Sequence, residues 1–347
     1  MSYWYDWMDV LQQDERLKTT FIGLETFPRR MCKSPFWLPK LLKSEIVILL
    51  HSVWTGDCSQ SCKLPSWLMH LLSYRKGKLI VFLGNEYKDF SFKNKFLKKT
   101  QCDLLISMLP QDIAEAVYPE MDGRVISMPH GADEKIFFPE IPLEKRTISI
   151  GTRSVKYPPI VGDTDRNDIL EYITNHSNGL TIDISQDHNK RFEREKWAHF
   201  LNSCRATPST EAGAIYIDAK GSYQMMLEEI LARQGDENID YERIAQKCKD
   251  DGHRLVSGKT ISSRNFEAMA TKTVQVMFVG RFNDLLIPDV HYLALNRDFT
   301  NWEEIKDKIQ NPNHMQIMAD EAFDLFINNH TYRCRGNQLM EHVEGIL

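Results

Sequence analysis

Short runs of β-branched and aliphatic residues recur along the chain, with helix-length gaps between them. That rhythm predicts parallel βαβ units. In the first half it predicts strands over Thr19–Leu24, Glu45–His51, Lys78–Leu83, Asp103–Ser107 and Arg124–Met128. The run Ile46-Val47-Ile48-Leu49-Leu50 is apolar at every position, as expected of a strand covered on both faces. Helices are expected between the strands, for example over Trp67–Ser73 and Pro110–Tyr118, where the proline suits a first helical turn. A helix-like segment, YWYDWMDVLQQ, precedes the first strand. Pro129, Pro139 and Pro142 then break the rhythm and predict a linker.

The rhythm restarts with a strand over Thr147–Ile150 and a helix from about Thr164, with Asp163 or Thr164 as its N-cap. A strand over Leu180–Ile184 and a helix over Glu193–Cys204 follow, then helices over 222–234 and 241–256. A helix opening near Asn265 leads into a strand over Thr273–Phe278, and helices dominate from Trp302. The expected fold class is α/β: two Rossmann-like domains, 1–140 and 141–347, with parallel sheets facing a central cleft and a helical insertion at about 219–258. Open α/β sheets bind ligands in such clefts, at the carboxyl ends of their strands. Dehydrogenases, epimerases, binding proteins and glycosyltransferases share this plan, so the fold alone does not choose among them.

A length of 347 residues suits two such domains. The composition, 42% apolar and 26% charged, is that of an ordinary globular chain and excludes disordered, collagenous and coiled-coil classes. A net charge of −5, with 18 Lys and Arg against 17 Asp and Glu in residues 1–140, argues against nucleic acid as the main partner. Lys88, Lys93, Lys95, Lys98 and Lys99 beside Phe90, Phe92 and Phe96 read as a solvated helix face, with peripheral contact to an anionic membrane as the second reading. No apolar stretch approaches the roughly 20 residues of a membrane span, and the N-terminus lacks the pattern of a secretory signal. Seven scattered cysteines fit reduced thiols, so a cytoplasmic protein is expected. Cys58 and Cys62 have no second Cys or His pair at ligand spacing, and no metal site is expected.

Neither G-x-G-x-x-G nor G-x-x-x-x-G-K-[ST] is present, which removes the main support for dinucleotide and P-loop readings. Instead, the strand ending in Ile150-Gly151 is followed by Arg153 and Lys156. A glycine there lets a phosphate approach the backbone, and two cations can neutralise a diphosphate. The run Ile261–Ala270 starts a helix whose free N–H groups make an anion site, while Glu267 within it also reads as a helix-stabilising acid. Asp163 and Asp165, in "GDTD", form an Asp-x-Asp that reads either as a metal and diphosphate holder or as an N-cap.

The stretch "ISSRNFEAMATKTVQVM…LLIPDVHYLAL" resembles the donor-binding domain of group-1 glycosyltransferases of the GT-B fold, in particular the spore-maturation-protein-like subgroup. "HTYRCRG" fits the end of that domain, "MPHGADEKIFFP" its interdomain turn and "ISIGTRSVKYPP" its diphosphate clamp. The resemblance implies that Glu267 hydrogen-bonds the ribose, because a carboxylate accepts from two adjacent hydroxyls at once. It implies that the backbone of Arg264, Asn265 and Phe266, with Gly151, Arg153 and Lys156, meets the diphosphate. Relatives carry a second Glu eight positions earlier, where this chain has Lys259. Glu211, in "TPSTEAGAIYID", is the expected substitute and is read as following a helix. His51 and Asn85-Glu86 end strands of the first half, where a catalytic base and acceptor-binding groups are expected.

The activity implied is a metal-independent transfer of a sugar from a nucleotide-sugar to a glycan, lipid-linked or other acceptor, with no cofactor. A sugar-nucleotide epimerase and a non-catalytic nucleotide-sugar-binding protein are the alternatives.

Overall fold

The computed structural model describes residues 3–22, 37–54, 66–235 and 239–347. Two parallel sheets account for most of its strands. The first is built from α1 (Tyr3–Gln13), α2 (Trp37–Lys43), β1 (Ile46–Leu49), α3 (Ser66–Ser73), β2 (Lys78–Phe82), α4 (Phe90–Thr100), β3 (Leu104–Ser107), α5 (Gln111–Val117) and β4 (Val125–Ser127). Its strands lie side by side in chain order, all parallel.

Strand β2 shows why an unbroken apolar run is needed. Leu79 and Val81 pack with Leu72, Phe96 and Leu97 on one face. Ile80 and Phe82 meet Trp7, Tyr332 and Leu339 on the other. Both faces are covered from Leu79 to Phe82, which is why those four positions are apolar.

The second sheet has the order β11-β10-β7-β5-β6, again parallel. In chain order its elements are β5 (Ile148–Arg153), α6 (Asp165–His176), β6 (Ile182–Ser185), α7 (Arg194–Ser203) and β7 (Cys204–Pro208). An excursion follows: β8 (Ala212–Ile217), α8 (Ser222–Gln234), α9 (Tyr241–Asp250) and β9 (Val256–Thr260), with β8 and β9 paired antiparallel. The chain then resumes with α10 (Ser263–Ala270), β10 (Val274–Phe278), β11 (Leu293–Leu295), α11 (Trp302–Gln310) and α12 (Pro312–Asn329). The last helix, α13 (Tyr332–Ile346), leaves this sheet and packs with α1 on the first one.

Several expectations are corrected. No strand forms over 19–22, and Gly23 and Leu24 lie outside the described residues, as do Cys58 and Cys62. The expected helix 193–204 stops at Ser203 because the chain turns directly into β7, a central strand that the pattern did not announce. Glu211 therefore follows a strand, not a helix. The lysine stretch is not a wholly solvated face: Phe90, Phe96 and Lys93 are buried, and the Lys93 ammonium donates to the Gly84 and Asn85 carbonyls at 2.9 and 2.7 Å. Burial lowers that ammonium to about 8. No helix among the described residues is long and apolar enough to cross a membrane.

The carboxyl edges of the two sheets meet. The Met108 carbonyl, just past β3, accepts from Thr260 Oγ1 at the end of β9 and from Asn283 Nδ2, 2.9 Å away in the loop after β10. Arg281 pairs with Asp112 at 2.8 Å across the same seam. Behind it, the "MPHGADEKIFFP" and "HTYRCRG" segments pair: Ala132 donates to the His330 carbonyl and accepts from Tyr332, each at 3.3 Å. Gly131 has to be glycine, because a Cβ would stand 2.5 Å from the His330 oxygen.

Candidate functional site

A narrow recess of about 20 Å³ opens at the carboxyl edge of the second sheet. Thr152 and Ser154 reach it from the end of β5, and Thr207, Ser209 and Thr210 from the end of β7. Arg166 of α6, Trp197 of α7 and Arg264 of α10 complete its polar and aromatic rim. Hydroxyls, an indole and two guanidinium groups converge where α10 begins, so positive charge and donors face one small volume. Burial pushes the Arg264 guanidinium down to about 10, against the pull of Glu267.

Glu267 lies one turn into α10 and is 7% exposed. Its carboxylate accepts from Trp197 Nε1 at 2.8 Å, and the guanidinium of Arg264 stacks over that same indole at 5.0 Å. Burial raises the Glu267 carboxyl, while Arg264, Trp197, Arg194 and Ser263 draw it back. Glu267, Trp197 and Arg264 thus form one unit, with Trp197 and Arg264 lining the recess and Glu267 buried behind the indole.

The other α10 residues do different work. Asn265 Oδ1 accepts from the Ser262 N–H at 2.9 Å and from its hydroxyl at 2.7 Å, closing the start of the helix. Asn265 Nδ2 donates to Ser209 Oγ and Gln275 Oε1. The Asn265 N–H donates to the Ser262 carbonyl, so it is committed within the turn. Phe266 is fully buried against the His330 ring. Both side chains build the helix's seat and do not reach the recess.

The expected diphosphate clamp separates into parts. The Arg153 guanidinium turns back onto the Asp183 carboxylate at 2.8 Å and the Asp183 carbonyl at 2.9 Å. It also stacks on Phe192 and Phe200 at 4.8 and 4.4 Å. What Arg153 offers the site is its backbone carbonyl, which holds Arg264. Lys156 is exposed in the following turn. Gly151 is required for packing, since a Cβ there would lie 2.4 Å from Cys204 Sγ and 2.8 Å from Phe200.

Glu211 sits beside the recess. It accepts from the Phe282 N–H at 2.8 Å, and burial raises its carboxyl against the pull of that N–H and of Lys259. Tyr157 bridges this group to the recess: its hydroxyl meets Thr210 Oγ1 at 3.2 Å and donates to the Glu211 carbonyl, and its ring carries Arg166 at 3.8 Å. The Asp-x-Asp is taken up by cations. Asp163 pairs with Lys259, and Asp165 pairs with Arg297 at 2.6 Å. The Asp163 carboxylate also accepts from the Asp165 N–H at 3.0 Å, a capping contact at the start of α6.

On the first sheet two of the three expected groups, His51 and Glu86, are inside the protein. His51 follows β1 but is 1% exposed, packed between His130 and Phe82, with ring centroids 4.5 and 5.2 Å away. Burial holds its imidazole well below the usual value, with His130 adding to the effect. The Glu86 carboxylate accepts from Ser107 Oγ at 2.9 Å, Met108 N–H at 2.7 Å and Tyr118 Oη at 2.7 Å. It anchors the loop that meets the second sheet. Asn85 is exposed, in a left-handed conformation with φ +46°.

Arg166, Trp197, Tyr157 and Lys259 were not picked out as site residues from sequence. Arg166 carried a signal, as the cation in the first turn after "GDTD", and so did Lys259, which stands where relatives carry a Glu.

Two parallel α/β sheets meeting at their carboxyl edges, with a polar recess at the carboxyl edge of the second, define a protein of the GT-B arrangement. The chain is similar in fold to a glycosyltransferase from Rickettsia africae ESF-5, at 12% identity over 99% of this chain and 94% of that one, with a TM-score of 0.51. An alpha1,3-fucosyltransferase gives 12% identity over 94% and 87% of the two chains, with a TM-score of 0.44. TarM gives 12% identity and a TM-score of 0.45, and the chain, covered to 90%, spans only 57% of TarM's length. No family model and no curated protein matches this sequence.

Proposed function

We propose that this protein is a glycosyltransferase whose recess at the second sheet holds the nucleoside diphosphate of a nucleotide-sugar. The observation that carries the reading is the convergence of Arg264, Arg166, Trp197 and the Thr152, Ser154, Ser209 and Thr210 hydroxyls beside the start of α10. Glu267, which holds the Trp197 indole that lines the recess, is proposed to accept from the ribose hydroxyls. Glu211, at the side facing the first sheet, is proposed to lie beside the transferred sugar. Charge that builds on the departing diphosphate would meet guanidinium groups and helix N–H donors already in place. The acceptor, a glycan or lipid-linked group, would enter from the first sheet's edge. The resemblance to the spore-maturation-protein-like subgroup belongs to this reading, as does a cytoplasmic setting.

The metal-free character is part of the proposal. Asp163 pairs with Lys259 and Asp165 with Arg297, ion pairs that a divalent ion held by this Asp-x-Asp would have to displace.

Melting curves against UDP-, GDP- and ADP-sugars, followed by product analysis, test the reading. A ligand that binds only the folded state raises the melting temperature. We expect one nucleotide series to do so and its sugar-nucleotide to yield free nucleoside diphosphate. Conversion of the sugar without that release would make the protein an epimerase, and binding without turnover under any acceptor would make it a binding module.

A further inference from the structure

Lys259 lies on β9 with its side chain 12% exposed, and its ammonium pairs with Asp163, whose side chain is 7% exposed. Buried ion pairs rarely add net stability, because desolvating two charges cancels most of their attraction. The pair therefore calls for a reason beyond holding β9 in place. Its position suggests one. The ammonium is 5.7 Å from the Tyr157 ring that carries Arg166, a residue of the recess rim, so one aromatic ring separates Lys259 from the recess. It also acts electrostatically on Glu211. Arg153 is committed to Asp183 and two phenylalanines, and Lys156 is out in solvent. Lys259 is thus a largely buried cation on the Glu211 side of the recess, where Arg297, 65% exposed, is committed to Asp165. Its partner is itself fixed in place, since the Asp163 carboxylate also accepts from the Asp165 N–H.

We propose that Lys259 binds an anionic group of the donor, leaving Asp163 for a phosphate or sugar-carboxylate oxygen, and that Asp163 is the counter-ion that parks the ammonium when the site is empty. This rests on the glycosyl-transfer reading above. An ammonium released from Asp163 toward Glu211 would stand where the diphosphate meets the sugar, so both sources of anionic oxygen are within its chemistry.

The two partners should respond with opposite sign, which a purely structural ion pair does not allow. Wild type, Lys259→Gln, Lys259→Arg and Asp163→Asn are titrated with UDP, GDP and ADP, with the parent nucleosides, and with UDP-glucose and UDP-glucuronate, each beside a melting curve. Lys259→Gln should weaken the bound diphosphate about 10-fold or more while nucleoside affinity holds. Lys259→Arg should restore most of the loss, and Asp163→Asn should bind at least as tightly as wild type, since a competitor is gone. Weakening that extends to the free diphosphate assigns the anion to the phosphates, and weakening confined to UDP-glucuronate assigns it to the sugar. If both Lys259→Gln and Asp163→Asn melt lower and neither changes any of these affinities, the pair is structural and the proposal falls. A wild-type protein that binds none of the nucleotides overturns the glycosyl-transfer reading and this proposal with it.

Discussion

The surroundings of Glu267 set a sharp test of the role proposed for it. Its carboxylate is buried, accepts from Trp197 and faces Arg264. Glu267→Gln keeps an acceptor for the indole and removes a charge whose burial is costly, so the variant should melt no lower than wild type. Hydrogen bonds to a charged group contribute about 1.5–3 kcal/mol, so affinity for a nucleoside diphosphate should fall roughly 10- to 150-fold. Calorimetric titration beside a melting curve checks both halves, and a lower melting point with unchanged affinity would make Glu267 a packing residue. Its neighbours show how residue-level reading goes astray. Gly151, Arg153 and Asn265 were placed at the site from sequence, and all three stand within or next to it. Yet Gly151 makes room for Phe200, Arg153 faces Asp183, and Asn265 closes its own helix. A sequence shows where a side chain is anchored, not which way it turns.

Among elements, the strands that were legible are those covered on both faces, such as β2, where the core demands an unbroken apolar run. Strand β7 was missed although it sits at the centre of its sheet. Its residues, Cys204-Arg205-Ala206-Thr207-Pro208, include a cation and two site-facing polar or cyclic groups, because its end lines the recess. Those residues break the apolar run that announces a strand. β8 and β9 form a ribbon apart from both parallel sheets, so they lack the βαβ rhythm.

One tie between elements makes a pH prediction. Asp6 of α1 pairs with Arg194 at the start of α7, and burial pushes its carboxyl from 3.8 up to about 7 despite that partner. A carboxyl raised on folding favours the folded state when protonated, so this contribution is complete below about 3.8 and lost as pH rises through about 7. Wild type should therefore lose stability relative to Asp6→Asn between pH 4 and pH 7. Denaturant titrations of both proteins across that range check it, and a constant difference would show that Asp6 titrates as it does unfolded.

At the scale of the whole molecule, the plan of two parallel sheets meeting at a cleft was legible, because it follows from two stretches of the same rhythm and the break between them. The seam was not. It is made by single polar contacts between distant segments: Thr260 and Asn283 on Met108, Arg281 on Asp112, Arg194 on Asp6. None leaves a local trace in the chain. The return of α13 to the first sheet was also hidden, since its apolar face fits either surface. The central claim concerns the recess at the second sheet's carboxyl edge, and it reduces to whether a nucleoside diphosphate sits against Arg264. Isothermal titration of UDP, GDP and ADP into wild type and Arg264→Ala, in buffer containing EDTA, measures that directly. The account predicts saturable binding of one of them to wild type in the presence of the chelator. It predicts at least about 10-fold weaker binding to the variant, the loss of a charge-assisted contact. Binding that is absent from wild type, or equal in the two proteins, would contradict it.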